Sequence, residues 1–335
     1  MEFTKKLSKK SSNISASLTL AITAKAKKMK ADGIDIVSFG AGEPDFNTPE
    51  NIRNVAIQVI NEGKIGYTPA SGLLELKEAI CEKLLKDNNL KYTPENIVVS
   101  NGAKHSLYNT FQAICNPGDE VIIPVPYWVS YTELVKMADA KPVFLYTTEE
   151  NNFKINIDSL KEKITDKTKA IILNSPSNPT GAVYTKAELK EIVKVALENN
   201  IFIISDEIYG KLIYDGSKHV SIACLGEDIK DLTIIVNGMS KAYAMTGWRI
   251  GYIAAHKEIA KMITNIQSHA TSNPNTIAQY ASIEALKGSQ EKINKMVEEF
   301  SNRRKVMVDM INSIPGLSCK LPLGAFYVMV NISEY

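Results

Sequence analysis

Two cations share one loop of this chain, Ser240-Lys241-Ala242-Tyr243-Ala244-Met245-Thr246-Gly247-Trp248-Arg249-Ile250-Gly251. Apolar runs at residues 232–236 and 249–255 flank it and read as buried strands. Burying an ammonium such as that of Lys241 costs several kcal/mol unless its charge is paired or removed. Forming a Schiff base with a carbonyl compound removes it. The bland alternative is a solvated loop with two ordinary charges.

Other polar residues sit at similar places. The run 201–204 ends at Ser205-Asp206-Glu207-Ile208-Tyr209, and a carboxylate just past a buried strand needs a partner. Taken alone, Asp206 reads as a helix cap. The run 169–173 leads into Asn174-Ser175-Pro176-Ser177-Asn178-Pro179-Thr180-Gly181, dense in turn formers. Residues 96–100 lead into Asn101-Gly102-Ala103-Lys104, where a glycine turn opening a helix offers free N–H groups and a positive dipole end to a phosphate. Residues 120–125 lead to Pro126-Tyr127-Trp128, and a tryptophan is more often core than ligand contact. Gly40-Ala41-Gly42-Glu43-Pro44-Asp45 holds half of a dinucleotide fingerprint, but the third glycine is missing and Pro44 breaks the pattern, which leaves a tight turn.

The elements that must position these residues alternate between strand and helix through residues 96–255. That alternation predicts a mostly parallel sheet covered by helices. Asn178, Asp206 and Lys241 each follow a strand's C-terminal end, where open α/β sheets bind ligands. Earlier in the chain, an arm and a helix precede a short strand at 34–39. An amphipathic helix after Thr48-Pro49 carries Ile52, Val55, Ala56 and Val59 inward, and another after Gly72 carries Leu73, Leu76, Ile80 and Leu84. Thr185 and Glu188 form a capping box for a helix burying Leu189, Ile192, Val193, Ala196 and Leu197. A long helix over about 289–314 should turn Ile293, Val297, Phe300, Val306 and Met310 inward and stop at Pro315-Gly316. Strands at 317–320 and 325–330 would begin a second, smaller domain that the N-terminal segment joins.

Composition sets the frame. A length of 335 residues suggests about two domains. With 44% hydrophobic and 23% charged residues the chain looks globular, and a net charge of +2 gives no field that suggests nucleic acid or a membrane as partner. Cys81, Cys115, Cys224 and Cys319 lack ligand spacing and read as free thiols of a reducing compartment. Lys5, Lys6, Lys9 and Lys10 ahead of residues 14–26 give a passing likeness to a secretory signal. Ser15, Ser17, Thr19 and Thr23 interrupt that run, so a cytoplasmic protein is expected.

The loop at 240–251 resembles the cofactor-lysine signature of the class I aminotransferases, which use pyridoxal phosphate. The other motifs above extend the resemblance over nearly the whole chain, most closely to the bacterial aspartate-using branch. The resemblance implies the fold type I architecture of that family: an N-terminal arm over 1–45, a large cofactor-binding domain over 46–285 and the start of a small domain over 286–335. It implies that Lys241 carries the cofactor, that Ser240 beside it also binds the cofactor, and that Arg249 with the N–H groups of Gly102, Ala103 and Lys104 holds its phosphate. Trp128 would stack on the pyridine ring, Asp206 pair with the ring nitrogen, and Asn178 and Tyr209 bond the phenolic oxygen. Tyr67 would reach the cofactor phosphate of a partner subunit, which implies a homodimer with a shared site; alone, an aromatic beside Pro69 reads as packing.

For the substrate, the family implies Gly42, Ser17, Lys104, Trp128 and Asn178. Lys104 could pair with a side-chain carboxylate or serve the phosphate. Aspartate with 2-oxoglutarate is the first expectation. Prephenate or a broader range, a carbon–sulfur lyase, and a non-catalytic cofactor-binding protein are the alternatives. The family clamps the substrate's α-carboxylate with an arginine further along, and no arginine follows Arg304 here. The expectation is therefore cofactor binding with poor turnover of aspartate.

Overall fold

A computed structural model describes residues 6–40 and 42–335. Lys5 and Ala41, used above, lie outside them. The centre is a seven-stranded sheet in the order β1-β7-β6-β5-β4-β2-β3. Its strands are β1 (Ile97–Ser100), β2 (Glu120–Val125), β3 (Lys141–Tyr146), β4 (Thr168–Asn174), β5 (Phe202–Asp206), β6 (Thr233–Gly238) and β7 (Gly251–Ala254). β7 pairs antiparallel with both β1 and β6, and the remaining pairs are parallel. Six strands thus run one way and β7 alone runs against them.

Strand alternation assigns the core to two faces. Val98, Val121, Ile123, Ala170, Ile172, Ile204, Ile234 and Ile253 pack with Leu107, Phe111, Val135 and Ile263 from helices on one side. Ile122, Ile171, Leu173 and Ile203 pack on the other with Leu189, Ile192 and Val195. With both faces covered, strands become continuous apolar runs, and each buried aliphatic side chain contributes roughly 1.5–3 kcal/mol. Helices Glu50–Asn61, Leu74–Asn88 and Thr276–Lys287 close the β1–β7 end over Ile97, Val99, Ile235 and Tyr252.

Several expectations need correction. Residues 34–39 form no strand and pair with none among the described residues, and Val37 and Phe39 are 75% and 85% exposed. The stretches 317–320 and 325–330 form no strands; the isolated bridges in this region join Ser318 to Asn331 and Ile213 to Gly324. β3 was not expected, although residues 142–146 form an apolar run; it is an edge strand in which Leu145 alone is fully buried. In helix Lys186–Asn199 the inward side includes Val195, while Leu197 is 40% exposed. Helix Glu291–Asn312 buries Ile293, Met296, Phe300, Arg304 and Val308. Val306 and Met310 lie on its opposite, exposed side, about half a turn away at 3.6 residues per turn. The N-terminal segment reaches the helix Ser130–Met137 and its end, through the Ser15 N–H to Glu133 at 2.9 Å and Lys10 to Asp139 at 2.8 Å. Among the described residues, no helix is long and apolar enough to cross a membrane, and no His, Cys, Asp and Glu cluster could hold a metal ion.

Candidate active site

The register brings the expected polar residues to one edge. Ser100 and Gly238 both pair with Gly251, Val236 pairs with Asp206, and Asp206 pairs with Asn174. The segments bearing Gly102, Asn178, Asp206, Lys241 and Arg249 therefore emerge side by side.

Short bonds pin the 240–251 loop. The Met245 N–H donates to the carbonyl of buried Ser240 at 3.2 Å. Trp248 Nε1 donates to Thr48 Oγ1 at 3.0 Å, whose hydroxyl donates to the Ala244 carbonyl at 2.6 Å. Thr246 Oγ1 donates to Glu43 at 2.9 Å. Arg249 adopts φ 57° and turns its Nη1 back to the Thr246 carbonyl at 2.8 Å. Its guanidinium lies against Gly102, where a Cβ would sit 2.2 Å from Nη2 and where φ is +90°. Gly251 is equally constrained, since a Cβ there would fall 2.1 Å from the Ala103 nitrogen. Arg249 and the start of helix Ala103–Ile114 thus form one electropositive corner.

Lys241 is half-buried and donates from Nζ to the Gly42 carbonyl. Burial brings its pKa down to about 8, helped by Arg249 and Lys104 and opposed by Glu43 and Asp206. Asp206, 3% exposed, accepts from Tyr131 Oη at 2.7 Å and from the Ile208 N–H at 3.2 Å. Burial outweighs those bonds and raises its pKa to about 6. Tyr209 Oη lies 2.6 Å from Tyr327 Oη, and Asn178 Nδ2 donates to Tyr327 Oη at 3.4 Å. The Asn178 loop is held by Asn174, which accepts from the Asn178 N–H at 2.7 Å and donates to the Asp206 carbonyl at 3.0 Å. Lys104 Nζ stands 4.9 Å from the centre of half-buried Trp128, which meets Tyr131 edge-on.

Two expected residues stand apart. Ser17 caps helix Leu18–Ala31, accepting from the Leu20 N–H at 3.4 Å. Tyr67 is 94% exposed. Sequence reasoning missed Tyr131 and Tyr327. The available signal was general: a buried tyrosine hydroxyl usually finds a polar partner.

The matching family model is that of aminotransferase class I and II, over residues 34–335. The aspartate aminotransferase of Bacillus sp. (strain YM-2) is 54% identical over 321 residues, which is 96% of this chain and 82% of that protein. The probable aspartate/prephenate aminotransferase of Aquifex aeolicus is 47% identical over 333 residues, 99% of this chain and 84% of its own. The crystal structure of the Rhizobium meliloti aspartate aminotransferase superposes with a TM-score of 0.95 at 41% identity, covering 98% of this chain and 82% of that one. The Thermus thermophilus aspartate aminotransferase with maleate gives 0.93 at 42% identity, covering 98% and 85%. This chain belongs to the class I and II aminotransferases. It is a pyridoxal-phosphate-dependent transaminase, with amino acid and oxo acid substrates.

The residues present fit that cofactor. The cradle at Gly102, which any Cβ would fill, sits beside a guanidinium and a helix N-terminus and suits a phosphate. A buried carboxylate, a lysine of depressed pKa and an aromatic face border the same edge of the sheet.

Proposed function

We propose that this enzyme moves the amino group of aspartate to 2-oxoglutarate. The observation that carries the reading is Lys104, a cation over Trp128 close enough to Lys241 to act on its charge, which could meet a second carboxylate. The likeness to a structure described with maleate, a dicarboxylate, supports it. Relatives described as aspartate/prephenate aminotransferases keep prephenate, also a dicarboxylate, as a second reading.

Pyridoxal phosphate supplies an electron-accepting ring and an aldehyde that takes up and releases the amino group. Lys241 would hold it through its amine and, once freed, would move the proton at the substrate Cα. Asp206, oriented by Tyr131, would pair with the ring nitrogen. Tyr209 and Asn178 would donate to the ring's phenolic oxygen. Arg249 and the N–H groups of Gly102, Ala103 and Lys104 would hold the phosphate, and Trp128 would cover the ring. Ser240, whose carbonyl accepts from the Met245 N–H, would join the cofactor-binding residues beside Lys241. The Gly42 carbonyl takes the Lys241 ammonium, and the backbone at Gly42 would face the substrate carboxylate. Ser17 and Tyr67 enter this scheme only with movement of the N-terminal helix and with a second subunit. We accordingly propose a cytoplasmic homodimer, organised as 1–45, a cofactor-binding unit over 46–285 and a small unit from 286 onward.

The test mixes the loaded enzyme with aspartate and 2-oxoglutarate and measures oxaloacetate and glutamate. Absence of both products, with ammonia and pyruvate released from a cysteine thioether instead, would overturn the proposal. Faster conversion of prephenate than of 2-oxoglutarate would select the second reading.

A further inference from the structure

We propose that Tyr327 is a positioning residue, which donates to the Tyr209 oxygen and so directs the Tyr209 proton at the bound ligand. The inference rests on the reading of the Lys241 site given above.

The two phenol oxygens are 2.6 Å apart, and Asn178 Nδ2 reaches the Tyr327 oxygen at 3.4 Å. Burial holds Tyr209 well above the ordinary phenol value and pushes Tyr327 up to about 12, so each keeps its single proton at working pH. Only one proton fits between two oxygens in one contact. If Tyr209 spends its proton on Tyr327, it has none for a ligand. If Tyr327 donates instead, the Tyr209 hydroxyl is free to point into the site. The bond it receives polarises it and strengthens its own donation.

Tyr327 is built to stay in that place. The Gly324 N–H donates to the Gly181 carbonyl at 3.0 Å, and the Ala325 N–H donates to the Leu212 carbonyl at 2.9 Å. The Tyr214 hydroxyl donates to the Ala325 carbonyl. Phe326 packs on Tyr327 with ring centres 4.9 Å apart, and Tyr209 meets the Tyr327 ring at 83°. The Tyr327 hydroxyl also abuts Gly42, where a Cβ would lie 3.1 Å from it, and Gly42 offers its carbonyl to Lys241. One hydroxyl therefore touches the N-terminal loop, the Asn178 loop and Tyr209.

The test titrates the visible absorbance of the lysine-bound cofactor against pH in four proteins: wild type, Tyr327→Phe, Tyr209→Phe and the double variant. Tyr327→Phe keeps the ring and its packing and removes only the hydroxyl. A weaker bond to the cofactor's phenolic oxygen raises the apparent pKa of that absorbance. We expect Tyr327→Phe to raise it by about 0.5–1 pH unit, the worth of one neutral hydrogen bond. Tyr209→Phe should raise it further, and the double variant should match Tyr209→Phe alone, because Tyr327 acts through Tyr209. Additive shifts would overturn the relay. So would an unshifted titration in Tyr327→Phe with a fall in kcat/KM, which would mark a direct substrate contact. A wild-type protein with no lysine-linked absorbance would overturn the site assignment, and the relay with it.

Discussion

Asp206 and Glu207 are neighbours in the chain, both almost fully buried, and their acidities move in opposite directions. At Asp206 burial wins, and two hydrogen bonds leave its pKa near 6. At Glu207 burial would also raise the value, but His219, Ser221 and Lys83 together outweigh it and hold the carboxyl below its ordinary range. Its oxygens accept from Ser205 Oγ at 3.0 Å, from His219 Nε2 at 2.9 Å and from Ser221 Oγ. One carboxylate is thus fully satisfied inside the protein, while its neighbour keeps capacity for a positively charged partner. A protonated ring nitrogen would supply that partner.

The satisfied carboxylate should be structural. Glu207→Ala would leave three buried polar groups without their acceptor and should destabilise the protein by about 3–5 kcal/mol. The folded-state pKa of Glu207 lies below its ordinary 4.5, so its contribution is present above about pH 4.5 and is lost as pH falls through the folded value. Urea unfolding of wild type and variant at pH 7.5 and pH 4 reads both effects. A difference below about 1 kcal/mol at pH 7.5 would refute the assignment.

Lys241 supports a kinetic prediction. Only the free amine attacks a carbonyl, and its pKa is about 8. Capture of pyridoxal phosphate by cofactor-free protein should quicken about tenfold per pH unit below 8 and level off above it. Stopped-flow absorbance between pH 6 and 9.5 gives the profile. A rate still climbing at pH 9.5 would mean that Lys241 is not the depressed amine or not the attacking one. Borohydride reduction followed by peptide mapping identifies the lysine independently.

What the sequence made legible follows from how local each signal is. A strand buried on both faces is an apolar run whatever its neighbours, so β2, β4, β5 and β6 could be read, and Asn178, Asp206 and Lys241 could be placed at or just past their ends. β3 carries such a run as well, residues 142–146, and was missed; at the sheet edge it buries only Leu145 fully. The strand expected at 34–39 had the right residues but no partner, and partners are not local. Val306 and Met310 are apolar yet face away from the body, because Arg304 takes a buried position on the inward stripe, donating to the Pro322 carbonyl and to Asp215 at 2.7 Å. Tyr131 and Tyr327 acquire roles only through partners 75 and 118 residues away, Asp206 and Tyr209.

The cradle at Gly102 tests the phosphate assignment. An alanine there is strained at φ +90° and would drive its methyl into the Arg249 guanidinium. Gly102→Ala should weaken pyridoxal phosphate binding at least tenfold, the equivalent of about 1.4 kcal/mol. Affinity for pyridoxal, which lacks the phosphate, should change little. Fluorescence titration with both compounds separates the cases. Equal losses would mean that the glycine serves the fold rather than the phosphate.

Lys104 is where the proposed substrate preference can be tested. Its ammonium lies over Trp128 and near Arg249, and burial with Arg249's charge lowers its pKa. Lys104→Ala therefore removes two things at once. The contact with the Trp128 ring, worth about 0.5–1 kcal/mol, supports any ligand beneath that ring and should be lost equally for every substrate. A bond to a side-chain carboxylate, worth about 1.5–3 kcal/mol, is lost only for an acidic one. The informative quantity is thus the ratio of kcat/KM for aspartate to that for alanine, which cancels the shared loss. That ratio should fall roughly 10- to 100-fold in the variant. Arginine at 104 should restore part of it, because the charge is kept while the geometry changes. An unchanged ratio, with both substrates slowed and cofactor affinity reduced, would assign Lys104 to the phosphate. The preference for aspartate would then have to arise from another cation.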